Sequence, residues 1–299
     1  MRIIMLGTSA AMPNPDRHDS GILISVSNEH YLFDCGHGAT NQIVAANVNP
    51  AAVGHVFLSH LHYDHIADFP YFMITTWMAD RQTSPIVIGP TGTADFVDSL
   101  MSPQTGAYRK DIEARIQYPQ RQANVQALNA DIREMKPGVI FEDKFVRVSA
   151  CYVEHIPREI SPCFGLRLDS ADGKSVVFSG DTAPCDRLIE LAQGADLLIH
   201  ECTFPQSAID FRSKAGIGTW AHTSPTELGK IAVSSNVKSL IATHFGNFDS
   251  NRPVVRELMS KHMPVELMGP HLMEEMVSDI RKNWSGELRM AHDLMRVDL

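Results

Sequence analysis

The stretch Val56-Phe57-Leu58-Ser59-His60-Leu61-His62-Tyr63-Asp64-His65 constrains what this chain can fold into more than any other. A short apolar run reads as a buried strand, and three histidines and an aspartate follow within six positions of its end. Side chains alternate along extended backbone, so His60 and His62 point to one side. Asp64 and His65, in the turn that follows, can reach a second point nearby. Imidazole nitrogens with a carboxylate oxygen form a ligand set for zinc and its first-row neighbours. Any one of these residues alone would read as a surface polar group. Four in an H-x-H-x-D-H pattern behind a strand read as a metal site.

Three other positions repeat the arrangement of a His or Asp just past an apolar strand. His155 follows the alternating run 145–153, Asp181 follows Ser175-Val176-Val177-Phe178, and His244 follows Ser239-Leu240-Ile241-Ala242-Thr243. Loops at strand ends are where sites form. A second constellation lies downstream. Ser224-Pro225-Thr226-Glu227 is a capping box with proline at the first helical position, and His222 stands two residues before that cap. Glu201 ends the buried run 196–201, and beside His222 it would orient the ring so that the imidazolium can protonate a leaving oxygen.

The remaining chain reads as alternating strands and helices. Strands are expected at Arg2–Gly7, Gly21–Val26, 30–33, 85–89, 145–152, 164–168, Ser175–Phe178, 196–199 and 239–242. Residues 287–297 read as one last strand. Helices are expected at 40–46, 69–79, Thr93–Met101 and 274–284. Residues 102–137 are polar, lack a sustained apolar period, and read as an insertion on the rim that either is a solvated segment or forms a substrate lid. With no internal repeat, this pattern is that of a single α/β layered domain spanning residues 1–299.

Composition narrows the function. A net charge of −9 argues against a general nucleic-acid binder. Five scattered cysteines, with no C-x-x-C, read as thiols of a reducing compartment. No apolar run approaches the ~20 residues that span a bilayer. The expectation is a cytoplasmic enzyme with no membrane partner, and a homodimer is compatible with it.

The H-x-H-x-D-H stretch resembles the signature of the metallo-β-lactamase superfamily. The resemblance extends to its tRNase Z (ribonuclease Z) branch through Leu6-Gly7-Thr8-Ser9, Phe33-Asp34-Cys35-Gly36, Gly180-Asp181-Thr182, His200-Glu201-Cys202-Thr203-Phe204, His222-Thr223-Ser224 and Thr243-His244-Phe245. It implies an αββα four-layer sandwich with metals at one edge of two sheets. It also implies a binuclear hydrolase using two divalent ions, zinc foremost, with manganese or iron as alternatives. His60, His62 and His155 would hold one ion, Asp64, His65 and His244 the other, and Asp181 would bridge them. In that family a metal-bridging hydroxide attacks, Asp64 is also proposed to assist the water, and the His222/Glu201 pair to protonate the leaving group. The catalytic candidates are therefore Asp64, His222 and Glu201.

Two departures stand out. The family's long tRNA-gripping arm is usually inserted between the equivalents of His155 and Asp181, where this chain has room only for a loop and two strands. His37 stands where the family generally has Glu. The expected substrate is accordingly a phosphodiester or related small ester rather than tRNA. Lactone, β-lactam or arylsulfate-type hydrolysis is an alternative, and an iron-dependent oxygen-using member or a binding module is the alternative of another class.

Overall fold

The computed structural model describes residues 1–218 and 221–299. Its strands are β1 (Arg2–Gly7), β2 (Gly21–Val26), β3 (Glu29–Phe33), β4 (Val53–Phe57), β5 (Ile86–Gly89), β6 (Asp131–Glu134), β7 (Gly138–Glu142), β8 (Val146–Tyr152), β9 (Phe164–Ser170), β10 (Ser175–Phe178), β11 (Leu197–Glu201), β12 (Ser239–Thr243), β13 (Glu287–Met290) and β14 (Arg296–Asp298). They form two seven-stranded sheets, in the orders β14-β1-β2-β3-β4-β5-β6 and β13-β12-β11-β10-β9-β8-β7. Around them lie α1 (Ala39–Ala45), α2 (Tyr63–Ile66), α3 (Phe69–Met78), α4 (Thr93–Met101), α5 (Arg109–Arg115), α6 (Pro119–Gln122), α7 (Asp186–Leu191), α8 (Gln206–Lys214), α9 (Pro225–Ser234), α10 (Pro253–Met259) and α11 (His271–Arg281).

Strand alternation builds the layers. In β1, Ile3 and Met5 join Phe33, Phe57, Val148, Leu166 and Leu168 in the core between the sheets. Their neighbours Ile4 and Leu6 face the other way and pack with Ile43 of α1 and Phe69 and Phe72 of α3. On the second sheet, Leu228 and Ile231 of α9 and Met276 and Ile280 of α11 belong to the same cluster as its strands. Strands covered on both faces read as continuous apolar runs, which is how residues 3–6 of β1 and 197–199 of β11 appear in the sequence. Each fully buried Leu or Phe contributes roughly 1.5–3 kcal/mol.

The expected strand 287–297 is two strands in different sheets. β13 pairs with β12, β14 pairs with β1, and Ala291 to Met295 carry the chain across. Leu294 has a φ of 62°, a left-handed conformation that no strand continues through. Asp293 ties the crossing to the N-terminal half, accepting from Thr8 Oγ1 at 2.8 Å and from the His18 amide at 2.7 Å. The polar segment 102–137 contains α5, α6 and β6, the last strand of the first sheet. Ala127 and Leu128 seat it on Trp77 of α3 in a small cluster of their own.

Strand direction sets the site. β3, β4, β5 and β6 are parallel, as are β10, β11, β12 and β13. β8 runs the same way as β10, because both are antiparallel to β9. The segments leaving the C-terminal ends of β3, β4, β8, β10, β11 and β12 therefore share one edge of the sandwich. Ligand sites in parallel sheets form at such edges. Among the described residues no helix is long and apolar enough to cross a membrane.

Candidate metal centre and acid–base pair

At the end of β4, Leu58, Ser59 and His60 are fully buried, the chain bends at Ser59, and His62 is again extended (φ −67°, ψ 146°). Asp64 and His65 then lie on the single-turn helix α2 rather than in an open turn. The amide of His65 donates to the His62 carbonyl at 3.0 Å, which winds both side chains back toward the strand end. Gly36 permits that packing, since a Cβ there would meet the Asp64 carbonyl oxygen at 2.1 Å.

His155 enters from the end of β8, Asp181 from β10 and His244 from β12. Gly180, before Asp181, takes a φ of 58°, and a Cβ on it would meet the Phe164 carbonyl oxygen at 2.8 Å. His244 itself is left-handed, with φ 60°. All seven sequence-selected residues meet in one place. Ligand atoms of His60, His62, His155 and Asp181 lie within 4.8 Å of one another, as do those of Asp64, His65 and His244. The two oxygens of Asp181 divide between the groups. Oδ2 is 4.0 Å from His60 Nε2 and 3.7 Å from His155 Nε2, while Oδ1 is 3.5 Å from His65 Nε2 and 3.4 Å from His244 Nε2.

The surrounding hydrogen bonds decide which ring nitrogen faces inward. Asp34 can only accept, so His65 Nδ1 carries the proton across their 2.6 Å contact. Ser59 Oγ gives its one proton to Asp34 at 2.9 Å and therefore accepts from His60 Nδ1 at 3.0 Å. Thr203 Oγ1 gives its proton to Glu201 Oε2 at 2.9 Å and accepts from His244 Nδ1 at 2.9 Å. His155 Nδ1 donates to the Ala221 carbonyl at 3.3 Å. Each of the four rings thus turns Nε2 toward the cluster, where its lone pair could meet an ion; without one, burial works against a charge on His65, but Asp181, Asp34 and Asp64 raise it well above its ordinary range. His65 Nε2 and His244 Nε2 stand 3.3 Å apart.

These residues fit divalent ions. His60 Nε2 and Asp181 Oδ1 are buried with no hydrogen-bond partner among the described residues, a state costing about 1–3 kcal/mol per group unless something binds there. Burial, helped by His65, holds His60 well below its ordinary range, and burial also lowers His62 and His155. Neutral imidazoles are what a metal requires. Burial opposes the charge on Asp181, but the His244 and His65 rings hold its carboxyl well below the usual range.

His222 Nδ1 lies 2.9 Å from Glu201 Oε1. Glu201 is buried yet well satisfied, accepting from the amides of Thr182, Thr203 and Thr223 as well as from Thr203 Oγ1. Burial works against a charge on His222, but Glu201 raises it to about 9. The ring packs 5.0 Å from His155 between centroids. A nitrogen of His222 also falls within 4.8 Å of ligand atoms of Asp181 and His244. Its Nδ1 is engaged by Glu201, which leaves Nε2 for the site.

A cavity of about 500 Å³ opens over the centre, lined by His62, Asp64, His155, Asp181, His222 and His244 on one part and by Met12, Ile156, Phe204 and Met259 on another. No described residue of 102–137 lines it. A cavity of similar size beside His55 and Arg81, at the other end of β4, gathers no comparable set of groups. Sequence reasoning assigned no role to Asp34 or Thr203. Asp34 follows Tyr31-Leu32-Phe33 at the end of β3 and meets the same strand-end criterion that selected Asp181. Thr203 carries no such signal.

A family model described as "Anti-Pycsar protein Apyc1" matches residues 1–211, ending before His222 and His244. Ribonuclease Z from Mycobacterium bovis (strain BCG / Pasteur 1173P2) is 30% identical over 304 residues, covering 100% of this chain and 98% of its own. Among solved structures, the metallo-β-lactamase fold protein YhfI from Bacillus subtilis superposes with a TM-score of 0.72 at 18% identity, covering 99% of each chain. The short form of human tRNase Z gives 0.69 at 21% identity, covering 100% of this chain and 99% of its own.

Proposed function

Given that this chain belongs to the ribonuclease Z family of the metallo-β-lactamase superfamily, and to the group described as anti-Pycsar protein Apyc1, we propose that it hydrolyses a small phosphodiester with two divalent ions, zinc foremost. It is a hydrolase of that superfamily, and its His/Asp cluster is of a kind that binds metal. In this reading His60, His62 and His155 hold one ion, Asp64, His65 and His244 the other, and Asp181 lies between them. Bound there, such ions supply Lewis acidity and bring the pKa of water toward neutrality.

The observation that carries the substrate class is the 2.9 Å contact between His222 and Glu201 on the wall of the same cavity. A phosphodiester with an alkoxide leaving group needs a proton at the departing oxygen. His222, held by Glu201 through Nδ1, has Nε2 free to supply it. As the P–O bond breaks, the proton passes to the leaving oxygen and His222 becomes neutral. Glu201 is a positioning residue, fixed by its backbone donors. Asp64, lining the same cavity, accepts a hydrogen bond from the attacking water and aligns it.

A second reading is favoured by the curated relatives, which are named ribonuclease Z: the diester would then be in RNA. The small-ester reading draws on the cavity of about 500 Å³ and on the net charge of −9. Between His155 and Asp181 the chain forms only a loop and the β9–β10 hairpin, with no projecting arm. Phosphate contacts dominate nucleic-acid affinity, and an acidic surface provides few.

The test compares leaving groups. His222→Ala should slow hydrolysis of an alkyl phosphodiester by ~10²–10⁴-fold and leave that of a p-nitrophenyl diester nearly unchanged, because nitrophenolate departs unaided. Equal slowing of both would remove His222 from the leaving-group role. Efficient cleavage of precursor tRNA at low micromolar concentration and physiological salt would establish the second reading.

A further inference from the structure

Beside the apolar part of the cavity stands a polar side chain, His262, whose state is set by a neighbour. Arg212, on α8, is fully buried. Its Nε donates to the Gly218 carbonyl at 2.9 Å, Nη2 donates to the same oxygen, and Nη1 lies 2.8 Å from His262 Nδ1. The guanidinium also stacks over Phe204, 4.9 Å from the ring centroid. Anchored by a carbonyl and a ring, it has one orientation.

A guanidinium only donates. His262 Nδ1 must therefore be the acceptor, and the proton of the neutral ring is on Nε2. A second positive charge beside Arg212 is disfavoured, and burial together with Arg212 lowers the pKa of His262 accordingly. Nε2 makes no hydrogen bond to any described residue, although His262 lines the cavity. Around it, Phe204, Met259 and Met263 form a common apolar cluster against which Met12 packs.

We infer that His262 is a specificity-determining residue, a fixed Nε2–H donor that selects substrates whose non-reacting arm is apolar and carries one hydrogen-bond acceptor such as a carbonyl oxygen, with Arg212 as the positioning residue that locks the tautomer. The inference rests on the phosphodiester reading above, since it concerns the arm remote from the reacting phosphorus. An arm lacking the acceptor would strip water from Nε2–H without replacing it. A cationic arm would meet a donor and, behind it, the Arg212 charge.

Two measurements test it without turnover. First, ¹⁵N shifts of the His262 ring in the whole protein should show Nδ1 bare and Nε2 protonated; the opposite tautomer overturns the proposal. Second, calorimetry on the zinc-loaded protein compares [2-(4-acetylphenyl)ethyl]methylphosphinate with [2-(4-ethylphenyl)ethyl]methylphosphinate, a pair with no P–O–C bond to hydrolyse that differs in one carbonyl oxygen. A neutral hydrogen bond predicts about 2- to 12-fold tighter binding of the acetyl compound, and His262→Phe should bring the ratio to one. Equal affinities in the native protein, a ratio kept in His262→Phe, or failure to bind either compound would each refute it. A chain that binds the pair with the expected ratio but hydrolyses no phosphodiester would keep this inference and lose the one above.

Discussion

His65 Nδ1 and Asp34 Oδ2 are 2.6 Å apart, and both side chains are completely buried. That contact determines which nitrogen of His65 faces the metal centre. Asp34→Asn would present an NH₂ donor to Nδ1 and favour the wrong tautomer. Loss of such an outer partner typically weakens metal affinity 10–100-fold. Competition with a chromophoric chelator should show a loss of about that size for one of two ions, and undiminished affinity for both would mean the tautomer is set elsewhere.

Asp181 directs one oxygen to each half of the cluster, so its removal should act on both. Asp181→Ala is expected to lose more metal than His60→Ala, by elemental analysis of protein purified without added metal. Two ions retained in Asp181→Ala would remove the bridging role.

The His222–Glu201 pair predicts a pH signature in the metal-free protein. Its folded pKa, about 9, lies above the ordinary 6.5 because of Glu201 and against the effect of burial. The pair's contribution to stability is then complete below about 6.5 and disappears as pH rises through about 9. NMR titration of the His222 ring should give the high value, and Glu201→Gln should bring it down. An unchanged midpoint in Glu201→Gln would assign the shift to another group.

α9 begins with a reciprocal cap: Ser224 Oγ accepts from the Glu227 amide at 3.2 Å, and Glu227 Oε2 accepts from the Ser224 amide at 3.2 Å. Ser224→Ala should cost about 0.5–2 kcal/mol, read as a lower urea midpoint at unchanged slope. The cap lies two residues from His222, so activity toward alkyl diesters should fall as well, while metal content stays the same.

Much of the site could be read from the chain because its residues share one local rule. His60, His155, Asp181 and His244 each follow an apolar strand, and strand alternation and polarity are local properties visible without a fold. The same rule, applied to Asp34, would have found the partner of His65. Thr203 could not be found this way, because a threonine near a strand end is ordinary until His244 and Glu201 stand on either side of it.

The sequence by itself determined most of the strands, the His and Asp residues of the cluster and the cap of α9, since period-two burial, donor chemistry and capping depend on neighbours within a few residues. Only the tertiary structure decided that residues 287–297 serve two sheets, that Asp181 divides its oxygens between two groups, and that Arg212 holds the tautomer of His262. Each of these depends on contacts between residues far apart in the chain, whose distances and proton positions are set by how the two sheets pack and not by any local pattern.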